Sequence, residues 1–295
     1  MKNIIVFYHE NCLDGFTGAY VAWKKFKEKA EYIPLSRTSE GDNILQNKKV
    51  KIKDLTDKEI YFIDFCLVES EVKKVVKVAK KVIILDHHVG KKDLVLSMPG
   101  SVYSDTVSGS VVAFNYFFPK NKVPELLKYV SIGDTYSFSK NEKQVKVEKE
   151  VLAYLSTVDF DFKNFLKVEK FIEDKKNFIE IKNIGEILNK NFYKMIKDQS
   201  QNAKLIEFEG YKVYAVNSCR LFKSELGHVL AEKTNLFGIV YYFEGNDLKL
   251  SFRGIGKVDL VDIAQKYDGG GHFNASSFKT NDEKFISEFL KKITG

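Results

Sequence analysis

At 295 residues the chain can bury a sizeable core and is long enough for two domains, and its make-up (44% hydrophobic, 29% charged, four prolines) is that of a globular protein. It has no run of about 18 apolar residues, which excludes a membrane-spanning helix, and its three scattered cysteines, Cys12, Cys66 and Cys219, exclude a disulfide framework and fit the reducing cytoplasm. A formal net charge of +7 is compatible with an anionic partner.

The opening segment MKNIIVFYHENCLDG breaks its apolar run too soon for a signal peptide, so NIIVFY (3–8) reads as a first strand covered on both faces. A helix is expected over 15–29. YFIDF (61–65) gives a second strand, 68–81 a helix with valines spaced against lysines, VIIL (82–85) a third strand and 108–118 another helix. Strand and helix in alternation predict an α/β domain with a parallel sheet over residues 1–145. A helical connector follows over 146–200. Residues 201–295 change character: 203–217 and 237–254 read as hairpins turned at EG and EGND, with helices near 222–233, 259–267 and 282–293. This predicts a smaller mixed α/β domain.

In a doubly wound sheet, ligands sit beyond the carboxyl ends of the strands. The first strand runs into His9, with Cys12 and Asp14 in the following loop. The second ends in Asp64 and the third in Asp86, His87 and His88. A further apolar stretch, YVSIG (129–133), ends in Asp134. Any one of these has an ordinary reading as a cap or turn former, but four segments delivering Asp or His to one rim suit divalent cations of the Mn²⁺ or Mg²⁺ kind. Two such ions side by side can generate hydroxide at neutral pH and clamp both oxygens of a phosphoryl transfer. Neither a GxSxG elbow nor a P-loop occurs. In the second domain SFRG places Arg253 at a strand end, and Gly269, Gly270 and Gly271 precede His272. Consecutive glycines let backbone approach an anion, and Arg253 can fork onto phosphate. Four of the five histidines thus fall in candidate site loops; His228, in SELGHVLAEK, reads as a packing or surface residue.

The ordered motifs HENCLDG, FIDF, LDHH and GDTYSF, followed by SFRG and DGGGH, resemble those of the DHH phosphoesterases with a C-terminal DHH-associated domain, over nearly the whole chain. That family includes RecJ-type exonucleases, oligoribonucleases, cyclic dinucleotide phosphodiesterases and family II inorganic pyrophosphatases. The resemblance implies that Asp64 bridges two ions, that His9 ligates one, and that Asp14, His87 and Asp134 complete the shell of the other. Asp86 would orient the neighbouring imidazole, and His88 would face the substrate phosphate or support the site. Arg253, His272 and Gly269 to Gly271 would bind the phosphate or nucleotide portion of the substrate. One position departs from the family pattern: Cys12 stands where a first aspartate is usual, either as a softer ligand favouring Zn²⁺ or Fe²⁺ or as a non-ligand.

The expected activity is therefore that of a metal-dependent phosphodiesterase acting on short oligonucleotides or on linear or cyclic dinucleotides, with Mn²⁺ first among the candidate ions and Mg²⁺, Zn²⁺ or Fe²⁺ behind it. An inorganic pyrophosphatase on the same scaffold and a non-catalytic nucleotide-binding protein are the alternatives. The expected setting is cytoplasmic, with no membrane partner and no module for long DNA. A homodimer is open.

Overall fold

The computed structural model describes residues 2–35 and 50–294, and the chain divides into two units, Met1–Asn189 and Lys190–Gly295. The first unit holds strands β1 (Ile4–His9), β2 (Ala30–Leu35), β3 (Glu59–Ile63), β4 (Lys81–Asp86) and β5 (Val102–Tyr103) in one sheet of order β2-β1-β3-β4-β5. Every pairing is parallel. The continuous apolar runs noted in the sequence are what a sheet covered on both faces requires. Val6, Tyr61, Ile63, Ile83 and Leu85 join one buried cluster, while Ile5, Phe7, Ile60, Phe62 and Ile84 join another on the opposite face.

Among the described residues five helices cover this sheet: α1 (Leu13–Phe26), α2 (Glu69–Val78), α3 (Lys92–Ser97), α4 (Gly109–Phe117) and α5 (Glu125–Thr135). The first cluster takes Phe16 and Tyr20 of α1, Val111 of α4 and Leu126 of α5; the second takes Val72 of α2 and Val95 of α3. Two strands escape the sequence pattern. β2 carries Glu31 and Pro34 in its short run and occupies the sheet edge, where a proline without an N–H is tolerated. β5 has only two residues. From β1 the chain moves outward to β2 and then returns to β3 on the other side, so the strand order reverses between β1 and β3. Their carboxyl ends border the crevice where ligands bind in such sheets.

The stretch after α5 is helical: α6 (Glu142–Leu155), α7 (Phe162–Glu173) and the 25-residue α8 (Lys175–Gln199). Asn141 and Asp161 start the first two by accepting the free N–H groups of Lys143 and Gln144, and of Lys163 and Asn164. Val151, Leu155, Phe165 and Ile181 on these helices belong to the first unit's core. None of the described helices is long and apolar enough to cross a membrane.

The second unit is a six-stranded sheet, β6 (Lys204–Phe208), β7 (Tyr211–Asn217), β8 (Phe237–Glu244), β9 (Asp247–Gly254), β10 (Gly270–His272) and β11 (Ala275–Thr280), in the order β10-β11-β9-β8-β7-β6. Only β7 and β8 pair in parallel, and the crossover between them is helix α9 (Lys223–Thr234). Short helices α10 (Leu260–Gln265) and α11 (Glu283–Thr294) complete it. Alternation separates the two faces: Phe237, Ile239, Leu248, Leu250 and Phe252 pack with Leu260 and Phe289, while Val216 and Val240 pack with Leu226 and Leu230 of α9.

Both expected hairpins form. At the first, Glu209 and Gly210 take φ of 50° and 79°, the paired left-handed conformation of a tight hairpin turn. The Glu209 carboxylate accepts the Tyr267 hydroxyl and, at 2.6 Å, the Lys266 ammonium. These hydrogen bonds hold its pKa below the usual carboxylate range. A folded-state pKa below the unfolded one stabilises the fold above the unfolded value, near pH 4.3, and that contribution fades as pH falls through the folded value. Glu209→Gln is expected to lower stability at pH 7 by about 1 kcal/mol, with the gap from wild type closing in denaturant melts below roughly pH 4.

Candidate metal centre

The site is built from the carboxyl ends of β1, β3 and β4 and from helices α1 and α5. His9 is the last residue of β1, and Cys12 and Asp14 lie at the start of α1. Asp64 directly follows β3 with φ of 54°, a left-handed conformation that aspartate tolerates better than most residues. Its N–H is held by the carbonyl of Leu85 on β4 at 3.0 Å. Asp86 ends β4, and His87 and His88 follow it. Asp134 arrives differently from the others: it sits in the last turn of α5, not at a strand end.

Asp64 is the hub. It is 1% exposed. Its Oδ2 lies 3.3 Å from His9 Nδ1 and 3.6 Å from Cys12 Sγ. Its Oδ1 lies 3.2 Å from His87 Nε2 and 3.8 Å from His88 Nδ1. His87 Nε2 also stands 3.2 Å from Asp134 Oδ2. Among the described residues, atoms that could hold a metal ion fall into two trios, His9 with Asp64 and His88, and Asp14 with His87 and Asp134, each with its atoms within 4.8 Å of one another.

Asp86 is fully buried, and its Oδ1 accepts His88 Nδ1 at 2.7 Å together with the backbone N–H groups of His87 and His88 at 2.7 and 3.2 Å. One carboxylate oxygen thus fixes the turn between the two histidines and the tautomer of the second, the support that a metal-ligating imidazole commonly has. It answers why the three residues are contiguous: the aspartate holds the loop while the imidazoles split, one toward each trio.

The acids of the cage perturb one another. Burial, then the Asp64 and Asp134 charges, push Asp14 well above the usual carboxylate range. Burial and the Asp64 charge also push Asp134 upward, against a smaller opposing pull from the histidines. For Asp64 burial acts upward too, but hydrogen bonds from His87 and His9 outweigh it and bring the group down to about 2. Burial pulls His87 down, yet its bond to Asp64 and the neighbouring carboxylates take it up to about 9. Burial and the Asp64 charge push the Cys12 thiol upward. The three buried carboxylates repel one another and lose hydration, a cost that cations seated among them would offset.

The donor set fits divalent ions. Asp64 Oδ1 is a buried carboxylate oxygen with no hydrogen bond of good geometry, although imidazole nitrogens flank it at 3.2 and 3.8 Å. Carboxylates and imidazoles together suit Mn²⁺, Mg²⁺ or Zn²⁺.

The sequence reading passed over residues 108–110, which it took only as a helix start. Gly109 opens α4 directly against the cage: a methyl group there would lie 2.7 Å from Asp64 Cβ and 3.1 Å from Asp14 Oδ2. The Ser110 N–H donates to both Asp14 oxygens at 3.2 and 3.3 Å, so the positive end of α4 supports this carboxylate. The signal was present as small residues, SGS, ahead of an apolar helix.

Arg253, Gly269, Gly270, Gly271 and His272 lie in the second unit. Arg253 is in β9, and Gly270 to His272 form the short edge strand β10. Ala275 of β11 pairs with both Arg253 and His272, so the two share one row of one sheet face. His228 is an exposed residue of α9, 3.5 Å from Glu232.

Among solved structures the chain is similar to the DHH domain of a protein described as belonging to a family of ribosomal proteins, with a TM-score of 0.59, 15% identity, and 99% of this chain and 85% of that one covered. The fold is the DHH-family fold. Two further structures share it: an exopolyphosphatase-related protein from Bacteroides fragilis (TM-score 0.56, 14% identity, 99% and 91% covered) and a pGpG-specific phosphodiesterase from Vibrio cholerae (0.51, 15%, 99% and 98%). By sequence the chain is 26% identical over 311 aligned residues to an uncharacterized protein of Acanthamoeba polyphaga mimivirus, covering 97% of this chain and 70% of that protein. No family model matches.

Proposed function

We propose that this DHH-fold chain is a metal-dependent phosphodiesterase that hydrolyses short oligonucleotides or linear or cyclic dinucleotides. The observation that carries the reading is the buried Asp64 carboxylate, with imidazoles of both trios against it and one oxygen left without a proper donor. The naming of one structure with this fold as a pGpG-specific phosphodiesterase is in keeping with it.

In this reading Asp64 would serve both cations, His9 would help hold one, and Asp14, His87 and Asp134 would hold the other, with Mn²⁺ the first candidate. Bound there, divalent cations supply Lewis acidity, a lowered pKa for water and neutralisation of charge gathering on phosphorus. The chain's own residues do the rest. Asp86 locks His88 through Nδ1 and so leaves the other ring nitrogen for the His9 trio or the substrate phosphate. Ser110 N–H fixes the orientation of Asp14. Cys12, against the same Asp64 oxygen as His9, is a candidate further ligand. Arg253 and His272, with the backbone of Gly269 to Gly271, would bind the phosphate or nucleotide portion of the substrate.

The test is turnover with Mn²⁺ of a diribonucleotide, a five-residue RNA, linear and cyclic diadenylate, phosphoadenosine phosphate and pyrophosphate. Cleavage of short RNA or dinucleotides with pyrophosphate untouched is the expected result. Faster loss of pyrophosphate, or no turnover despite bound metal, would reject the reading.

Metal removal gives an independent check. Cations that neutralise the crowded carboxylates bind the folded state alone, so Mn²⁺ at about 100 times its Kd adds about 2.7 kcal/mol of stability. For a unit of this size that raises Tm by roughly 5–10 °C. EDTA should remove both this increment and the activity, and renewed Mn²⁺ should restore them.

A further inference from the structure

Both trios of the cage are closed at one corner and open at another. Asp64 and Asp14 are buried, whereas His88 and Asp134 are exposed, so the cage faces solvent at these last two residues. Asp134 stands in the final turn of α5, and Tyr136, which caps this helix, follows two positions later. Two residues span at most about 7 Å from Cα to Cα. A tyrosine ring at this place is within reach of a group attached to a phosphate held at Asp134.

The backbone of Tyr136 is left-handed, with φ of 54° and ψ of 31°. A helix end of this kind usually falls to glycine or asparagine, because a larger side chain crowds the neighbouring carbonyl. The chain follows that habit at the end of α9, where Asn235 takes φ of 59°. Among the described residues Tyr136 is the only aromatic one with a positive φ. It is also 64% exposed, so burial in the core does not offset the strain. Strained residues of this kind persist where function needs the side chain.

The ring is held in place. Tyr136 N–H and Ser137 N–H both donate to the Ile132 carbonyl, the second at 3.1 Å. Thr135 Oγ1 and Ser137 Oγ lie 2.8 Å apart, one on either side of the tyrosine in the chain. Phe138 meets the ring edge-to-face, with centroids 5.1 Å apart at 88°, and Lys149 Nζ lies 5.8 Å from the Phe138 centroid. Ser139 N–H donates at 3.0 Å to the buried Glu148 carboxylate of α6, which ties the segment down beyond the aromatic pair. An exposed ring already fixed in this way stacks on a planar ligand at little cost in conformational entropy.

We infer that Tyr136 is the platform on which a nucleobase next to the scissile phosphate stacks. The inference rests on the phosphodiesterase reading and narrows its substrate to one with a planar base beside the phosphate, against pyrophosphate or a sugar phosphate. Every base has a π face, so the platform selects for a base without choosing among bases.

The test uses the full chain loaded with Mn²⁺ and two probes that cannot be hydrolysed, read by calorimetry. One is adenylyl-adenosine with its bridging ester oxygens replaced by methylene; the other is the same molecule without its bases. Wild type is expected to bind the first at least about 10-fold more tightly. Tyr136→Gly, which removes the ring and suits the left-handed backbone, should weaken the first probe at least about 10-fold and the abasic one less than about 2-fold. Tyr136→Phe keeps the ring and should stay within about 3-fold of wild type on both. In turnover of adenylyl-adenosine, Tyr136→Gly should raise KM more than it lowers kcat. Unchanged binding of the base-bearing probe in Tyr136→Gly overturns the inference, as does an equal loss on both probes, which would mark a general disturbance of the cage. Equal affinity of wild type for the two probes overturns it as well. Binding here needs no chemistry, so the two readings fail separately. Tyr136-dependent binding without cleavage of any dinucleotide would reject the hydrolase and keep the platform. Cleavage insensitive to Tyr136 would do the reverse.

Discussion

Asp64→Asn is expected to abolish phosphodiester turnover, by at least about 10³-fold, while the fold survives. Asp64 is buried, and its two oxygens face four candidate ligands: His9 and Cys12 on one side, His87 and His88 on the other. Asparagine keeps the size and one oxygen but replaces the other by an amide that donates hydrogen bonds and carries no charge. It therefore cannot serve two cations. Losing a residue that only supports a metal ligand already costs about 10- to 100-fold, and losing the shared carboxylate removes part of both cation sites. The measurement pairs metal content with single-turnover rates: the variant should hold less than the wild-type amount of Mn²⁺ and melt as a folded protein. Full activity in a protein confirmed to carry asparagine would end the two-ion proposal. The acidity of Asp64 supports the choice of residue, since a carboxylate brought down to about 2 despite its burial is already set as an anion among imidazoles.

The second large effect is expected from a residue with no side chain. Gly109→Ala places a methyl group 2.7 Å from Asp64 Cβ, 2.9 Å from Asp64 Cα and 3.1 Å from Asp14 Oδ2. Two of these atoms belong to the backbone and Cβ of the hub, so no flexible side-chain tip can give way. The cage must open, or the start of α4 must move and take the Ser110 N–H away from Asp14. Overpacking of this kind costs about 1–3 kcal/mol of stability. The larger effect falls on function, because a displacement of about 1 Å in a reacting constellation costs roughly 10²-fold. Activity and Mn²⁺ affinity should both fall by about that factor, while circular dichroism stays native. Wild-type metal affinity in Gly109→Ala would show that the first turn of α4 plays no part in shaping the cage.

The two predictions differ in how they could have been reached. Asp64 was legible because the rule is topological: apolar runs define the strands, strand alternation with helices defines a parallel sheet, and ligands gather at the strand ends. His9, Asp64, Asp86, His87 and His88 all stand where a strand stops, and each can be read straight from the order of the residues. The same logic separated a second, mixed domain by its hairpins, because a turn such as Glu209–Gly210 is specified by neighbours in sequence.

What the sequence determined by itself was therefore the periodic part: which segments are strands, which faces they bury, and which acids and histidines end them. The tertiary structure decided the rest, for reasons of distance. Asp134 reaches the cage from the last turn of a helix, and Ser110 braces Asp14 from 96 positions away along the chain. Strands β2 and β5 exist because β1 and β4 offer open edges to pair with, not because their own residues insist on extension. Local pattern fixes elements; contacts between residues distant in the chain fix chemistry, because the energies that shift a carboxylate or starve a hydroxyl depend on what packs against it.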